Sequence, residues 1–196
     1  MSSGTIIGIV TFVYLGTFSL MLVGQILDKK GFQNAALFGA GGGFLLHGAG
    51  ILSRWYESYS LGVGHVPLSN FYESLVFFSW AIVLIAFLSI RGEARNRVLT
   101  FIMPAAALML GYASFSTGVE SDIQPLVPAL KSNWLAIHVI TCFLGYSSFV
   151  VASVSGFFLL RNGHASPEAH PTGTVFYRCV MIGFIFFTVG ILTGSV

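Results

Sequence analysis

Long apolar segments are the feature that most restricts what this chain can fold into. Charged residues make up only 8% of it, against about 25% in a soluble domain, and they lie mainly between these segments. Six segments approach the length that a helix needs to cross a bilayer: residues 5–27, 35–55, 71–90, 98–116, 134–160 and 175–196. The pattern predicts an all-α polytopic membrane bundle of about six transmembrane helices, forming a single domain over residues 1–196.

The loops between the apolar segments differ in charge, and this difference predicts the orientation of the chain. Arg54 and Lys131 lie on one side. The other seven of the nine basic residues lie in alternate loops: Lys29, Lys30, Arg91, Arg95, Arg97, Arg161 and Arg178. Lys and Arg accumulate on the cytoplasmic side of membrane proteins. We therefore expect both termini on the outer, periplasmic side. The chain is expected to be a multi-pass protein of the inner (plasma) membrane, surrounded by the lipid bilayer. No nucleic-acid partner is expected.

The fifth apolar segment carries His138 near its beginning, with Trp134 four residues earlier on the same helical face. That face continues with small or weakly polar residues: Thr141, Cys142, Gly145, Ser148, Ala152 and Ser155. Small residues mark the side of a membrane helix that packs on other helices, so the bulky residues opposite, including Phe143 and Leu160, are expected to face lipid. His138 should then point into the protein interior near one membrane surface. An ionisable residue there is a candidate functional residue, and a histidine satisfied by a neighbouring group is the alternative.

Two further histidines are candidate cofactor ligands, each with a structural alternative. His47 lies in the glycine-rich second segment, where it could instead form a hydrogen bond to a neighbouring helix. His65 lies in the loop before the third segment, where a solvated side chain is the alternative. Asn70 and Glu73 have the spacing of a capping box, so Glu73 is interpreted as a helix cap rather than as a catalytic acid.

The outer loops and the cysteines lead to two structural expectations. Residues 56–70 and 117–133 carry apolar side chains and few charges, so these segments should pack together over the helix ends. Cys142 and Cys179 belong to no CxxC or CxxCH motif, and the predicted topology places them in different halves of the membrane. We interpret both as unpaired, small apolar residues.

Four stretches together resemble one known family. They are GHVPLSNFYESLVFFSW at 64–80, LVPALKSNWLAIHV at 126–139, the Gly-Tyr pair at 145–146, and GILTGSV at 190–196. They resemble the CcsA/ResC-type proteins of system II cytochrome c maturation, within the cytochrome c assembly family. The resemblance covers most of the chain from Trp55 to Val196.

This resemblance implies a component of cytochrome c biogenesis that binds and translocates haem b. Such a protein works with a CcsB/ResB-like membrane partner and presents haem at the outer face for covalent attachment to apocytochrome c. The WL-x-x-H pattern of the family, which ends in an axial haem ligand, is matched by Trp134, Leu135 and His138. We therefore expect His138 to bind the haem iron, with Trp134 beside the porphyrin.

The resemblance also implies that part of the family's haem site is missing. A tryptophan-rich haem-binding motif and later histidines should follow GILTGSV at 190–196, and this sequence does not contain them. We therefore expect an incomplete cytochrome c assembly domain. It would act as a haem-delivery component that is not catalytic by itself.

Two other functions remain open from the residues. An intrinsic b-type cytochrome for quinone-linked electron transfer would need two histidines at matching depth on different helices. If the second segment ends at Trp55, His47 and His138 differ by about 4.5 Å of helix rise, which leaves such a pair open. A small-solute permease is the third candidate, although no span interior carries a carboxylate and no paired broken helices are evident.

Overall fold

The computed structural model describes residues 2–90, 92, 94–126, 132–161 and 171–195. Within these ranges the chain contains no strand and forms six helices: α1 Ser3–Ile26, α2 Lys30–Ser60, α3 Phe71–Ser89, α4 Ala94–Phe115, α5 Asn133–Arg161 and α6 Pro171–Gly194. All six are long and apolar enough to cross a membrane. The prediction of an all-α polytopic membrane bundle is therefore confirmed.

Helix α2 extends further than the hydropathy of its sequence predicts. It ends at Ser60 rather than near residue 55 because its last turns are held by tertiary contacts. Glu57 accepts hydrogen bonds from the backbone N–H of Ser3, at 2.8 Å, and from the Ser3 hydroxyl, at 2.5 Å. Gly62 then takes a φ of +73°, a left-handed conformation that terminates helices and that glycine adopts without strain.

The six helices pack as a compact group of four and an outlying pair. Helix α1 packs on α2 and α4, and α4 packs on α3. Most of the fully buried apolar side chains lie in this group, among them Tyr14, Ile82, Leu99 and Met103. Helix α5 packs on α3 with one side and on α6 with another, while α6 has only minor contact with α3. Much of the surface of α6 is consequently exposed to whatever surrounds the protein.

Because the helices alternate in direction, the bundle has two distinct ends. We call the end that carries the connections 61–70 and 116–126 the histidine end. The opposite end carries basic side chains, including Lys29, Lys30 and Arg97. The orientation of the two ends across the membrane stays a prediction. Of the residues in the orientation argument, Arg91 and Lys131 lie outside the described residues, as do His164 and His170 of the loop after α5.

The two faces of α5 follow the sequence-based expectation only in part. The small-residue face is buried at Gly145, Ser148, Ala152 and Ser155, which confirms that it packs on other helices. On the bulky face, Leu160 is 84% exposed, as expected. Phe143 instead packs on Phe78 of α3, with ring centroids 5.3 Å apart. The expectation that Phe143 faces lipid was wrong because α5 is flanked by helices on two sides.

Candidate functional site

The two loop segments at the histidine end pack together, as the sequence predicts. The His65 ring nitrogen Nε2 lies 3.0 Å from the carbonyl oxygen of Gln124. Asn70 donates from its amide to the carbonyl oxygen of Asp122 at 3.3 Å. Arg54 donates from Nη2 to the carbonyl oxygen of Ser121 at 2.7 Å. These contacts confirm the prediction for residues 117–126, the described part of the second segment.

A buried ion pair anchors this end of the bundle. Arg54 Nε lies 2.8 Å from Glu73 Oε1, and the two side chains are only 5% and 1% exposed. The Arg54 guanidinium also lies over the Tyr72 ring, 4.7 Å from its centroid. The second oxygen of Glu73 accepts from the backbone N–H and the hydroxyl of Ser69, both at 2.8 Å. Every oxygen of the buried carboxylate therefore has a donor.

Asn70 caps α3 as the sequence predicts, but Glu73 accepts from Ser69 rather than from the backbone N–H of Asn70, so the predicted capping box forms only in part. The ion pair was not predicted. Asn70 Oδ1 accepts from the backbone N–H of Glu73 at 2.8 Å, which makes Asn70 the N-cap. From the sequence alone, Arg54 contributes only to the charge of a loop. The signal that could have found the pair is one basic and one acidic residue at the same end of two adjacent apolar segments.

His65 is buried beneath these loops rather than solvated. Its side chain is 6% exposed, and Nδ1 lies 2.9 Å from the carbonyl oxygen of Val66. It lines a cleft of about 430 Å³ together with Tyr59, Ser69, Leu135 and Val139. With Gln124 opposite Nε2, both ring nitrogens face carbonyl oxygens. A metal could bind His65 only if one of these contacts opened.

His138 lies on another side of the first turns of α5, against α6. Its side chain is half-buried, and Nδ1 lies 2.7 Å from the carbonyl oxygen of Gly190. A carbonyl oxygen only accepts hydrogen bonds, so this partner assigns the proton to Nδ1. In the neutral ring the lone pair then resides on Nε2. This is the arrangement of a histidine that is oriented by one nitrogen and free to ligate with the other.

An open groove of about 320 Å³ runs along His138 between α5 and α6. Its walls are mainly apolar and aromatic, formed by Cys142, Phe143, Tyr146, Phe187 and Ile191. The thiol sulfur of Cys142 lies 3.8 Å from His138 Nδ1 and 4.0 Å from Nε2. Trp134, one turn before His138, is 53% exposed and lies outside the residues that line the groove. The groove and the His65 cleft share Val139.

His47 is sealed inside the group of four helices. It is fully buried, and its Nδ1 lies 3.2 Å from the hydroxyl of Tyr14 on α1. This confirms the expectation that His47 could form a hydrogen bond to a neighbouring helix. Its Nε2 forms no hydrogen bond of regular geometry among the described residues, and the backbone of Val76 lies close to the ring.

His47 and His138 belong to different helix contacts. His47 lies thirteen residues before α2 ends at Ser60, whereas His138 lies five residues after α5 begins at Asn133. The last turns of α2 extend past the beginning of α3, because Arg54 already pairs with Glu73 in the first turn of α3. The two helix ends therefore do not mark one depth, and the expected difference of about 4.5 Å between the two histidines stays a prediction.

The cysteines and the remaining titratable side chains add no ligand cluster. Cys142 and Cys179 are both free, which confirms that they do not pair. Across the described ranges, no three His, Cys, Asp or Glu side chains lie close enough together to hold a metal ion. A metal centre in the described part of the chain would therefore draw on fewer than three of these side chains rather than on a closed protein cage.

Comparison with known proteins places the chain in a family. Residues 68–196 match the family model described as cytochrome C assembly protein. The cytochrome c biogenesis protein CcsA of Chlamydomonas reinhardtii is 35% identical over 158 residues, which cover 74% of this chain and 43% of that protein. The CcsA of Welwitschia mirabilis is 31% identical over 181 residues, covering 74% and 58% respectively.

A third relative, the CcsA of Trichormus variabilis, is 40% identical over 132 residues, which cover 64% of this chain and 36% of the relative. The chain thus spans about half of the length of the curated relatives that it matches. The matched region includes His138 and its partner Gly190.

Proposed function

Because the chain belongs to the cytochrome c assembly protein family, we propose that it takes part in cytochrome c biogenesis as a membrane protein that binds haem b. His138 is the proposed axial ligand of the haem iron. The observation that carries this proposal is the hydrogen bond between His138 Nδ1 and the Gly190 carbonyl, 2.7 Å long. It joins two of the sequence motifs on which the resemblance rests, and it leaves Nε2 with its lone pair.

The residues around His138 are suited to a haem group. A neutral imidazole is a common axial ligand of haem iron. Phe143, Tyr146 and Phe187 give the groove apolar, aromatic walls, and no carboxylate is among the residues that line it. Trp134 lies one turn away and is exposed, where it could cover the edge of a porphyrin that extends beyond the groove. When bound, haem would supply the iron centre and the porphyrin to be attached to apocytochrome c.

The charge distribution supports an orientation in which the histidine end faces the periplasm of a bacterial cell. The opposite end carries Lys29, Lys30, Arg95 and Arg97, and such residues accumulate on the cytoplasmic side. His138 would then hold haem close to the outer surface of the inner membrane. Apocytochrome c and a CcsB/ResB-like membrane protein are the proposed partners there, and translocation of haem to this face is part of the same proposal.

We propose structural roles for the other two histidines. His65 connects the two loops: its ring nitrogens lie within 3.0 Å of the carbonyl oxygens of Val66 and Gln124, and the nitrogen that carries the proton in the neutral ring donates to one of them. To act as a second axial ligand through Nε2, His65 would have to lose its contact with the carbonyl oxygen of Gln124. His47 supports the packing of α1 on α2 through Tyr14. A haem held between His47 and His138, as a b-type cytochrome would need, is the less favoured proposal, because His47 faces Tyr14 of α1 whereas His138 faces Gly190 of α6.

The test is His138→Ala in the complete assembly, with Ser153→Ala as the control on the same helix. Ser153 is exposed and lies away from the groove. We expect His138→Ala to lower haem occupancy and the yield of mature cytochrome c without unfolding α5, since Ala is a good helix former. Added imidazole should restore part of the haem binding by replacing the lost ring.

The proposal fails if both variants retain equal haem and equal cytochrome c yield. His138 would then be a structural histidine of the contact between α5 and α6. Loss of haem in both variants, with helix content unchanged, would likewise argue against a specific role for His138.

A further inference from the structure

Two glycines of α6 lie directly against His138 and its neighbour one turn later. A Cβ atom at Gly194 would lie 2.5 Å from His138 Nδ1 and 2.6 Å from Cε1. A Cβ atom at Gly190 would lie 2.6 Å from Cys142 Sγ. Residues four apart on α6 thus meet residues four apart on α5, and in each pair the glycine lacks the atom that would collide.

From this contact we infer that Gly190 and Gly194 are positioning residues, which fix the tautomer and the ring orientation of His138. The missing side chains let the backbone of α6 approach until the carbonyl of Gly190 reaches Nδ1 at 2.7 Å. The same approach places the Nδ1–Cε1 edge of the ring against Gly194. The inference rests on His138 as the proposed haem ligand, and it assigns ligation to Nε2 alone.

The hydrogen bond to Gly190 and the steric contact with the backbone of α6 both act on Nδ1 of His138. The carbonyl of Gly190 requires a proton on Nδ1, which leaves the only lone pair of the neutral ring on Nε2. The backbone of α6 also covers Nδ1 sterically, which is a second reason why this nitrogen cannot bind the iron. A hydrogen bond of this kind also raises the basicity of the ligating nitrogen and holds the ring in one orientation.

A side chain at Gly194 would remove this control. The methyl group of Gly194→Ala must either push α6 away from α5 or rotate the imidazole, and either movement lengthens the bond from His138 Nδ1 to Gly190. Gly183→Ala is a matched control on the same helix. A Cβ atom there would lie 2.7 Å from Phe149 Cε1, a similarly close contact. Gly183 lies eleven residues and about 16 Å from Gly194 along α6.

The first measurement is the tautomer of His138 in the full chain without haem. Nitrogen NMR of protein labelled with ¹⁵N-histidine distinguishes a protonated Nδ1 from a protonated Nε2, and the signal is assigned by its loss in His138→Ala. We expect the wild type and Gly183→Ala to carry the proton on Nδ1 only. Gly194→Ala should show a mixture of tautomers.

The second measurement is haem affinity in the complete assembly. Loss of a partner that orients a metal-ligating histidine typically lowers metal affinity about 10- to 100-fold. We expect a loss of that size in Gly194→Ala, with a changed Soret spectrum, and no change in Gly183→Ala. Circular dichroism of both variants checks that the helices persist.

The inference is overturned if wild-type His138 carries its proton on Nε2, or if Gly194→Ala has the wild-type tautomer. The wild-type spectrum decides the first point even if Gly194→Ala fails to fold. Retention of haem in His138→Ala is a separate outcome. It would overturn the proposed haem site, whereas the expected tautomers would still identify Gly190 and Gly194 as positioning residues of His138.

Discussion

His47 and His138 both lie in apolar helices of one bundle, but their surroundings differ. His47 is fully buried in the group α1–α4, and the hydroxyl of Tyr14 faces its Nδ1. His138 lies in an open groove between α5 and α6, and its partner is a backbone carbonyl. A histidine enclosed by side chains contributes to packing, whereas one oriented by a carbonyl beside an open groove can bind a ligand. The groups that surround each imidazole ring therefore distinguish the two histidines better than the sequences of the helices that carry them.

The largest effect on stability is expected from loss of the buried ion pair between Arg54 and Glu73. Arg54→Ala leaves the carboxylate of Glu73 buried without its cation, which should destabilise the protein by about 3–5 kcal/mol. Unfolding in a detergent titration measures the change. Arg97→Ala is the control, because Arg97 is exposed at the opposite end of the bundle and its loss should change stability by less than about 0.5 kcal/mol.

If Arg54→Ala and Arg97→Ala unfold at the same detergent concentration, the ion pair does not stabilise the histidine end. The double replacement Arg54→Met with Glu73→Leu removes both charges together. It should recover much of the lost stability, since paired buried charges are often replaceable by apolar groups.

The comparison of the two histidines predicts opposite effects of the same substitution. His47→Ala opens a cavity and leaves the hydroxyl of Tyr14 without its partner, so we expect a loss of about 2 kcal/mol and unchanged haem content per folded protein. His138→Ala should cost less than about 1 kcal/mol, because the ring borders an open groove, but it should lose haem. Detergent unfolding and pyridine haemochrome assays on both variants measure the two effects. A loss of haem in His47→Ala with wild-type stability would reverse the assignment.

A smaller effect is expected when only the hydrogen bond to His47 is removed. Tyr14→Phe keeps the ring, which packs edge-on at 5.8 Å between centroids, and deletes the hydroxyl group. The net cost should be about 1 kcal/mol. Tyr56→Phe is the control, because Tyr56 is 76% exposed. Equal stability of the two variants would show that His47 is held by packing alone.

Sequence patterns predicted those features that depend on one segment at a time. The six apolar segments, the cap at Asn70 and the buried face at Gly145 each follow from local composition and spacing. The ends of α2 could not be predicted in this way, because its last turns are polar and are held by Ser3 of another helix.

Features of the candidate site that join two segments were also not predicted. His138 was selected as a candidate from the sequence, but the sequence does not identify Gly190 as its partner. That contact depends on how closely α5 and α6 approach, and the approach depends on residues 52 and 56 positions further along the chain. Arg54 and Glu73 were missed for the same reason, since hydropathy treats each charge without its partner.

The smallest expected effect is first measured on the wild-type protein. Cys142 lines the open groove beside His138, whereas Cys179 is fully buried between helices. A membrane-permeable maleimide should therefore modify Cys142 in the folded protein and leave Cys179 unmodified until the protein unfolds. Peptide mass spectrometry gives the extent of modification at each site. If the groove is where haem binds, added haem should slow the modification of Cys142, and it should lose this protective effect in His138→Ala. Equal modification of both cysteines would show that the α5–α6 groove is no more open than the rest of the bundle, and the contrast between the two histidines would then lose its structural basis.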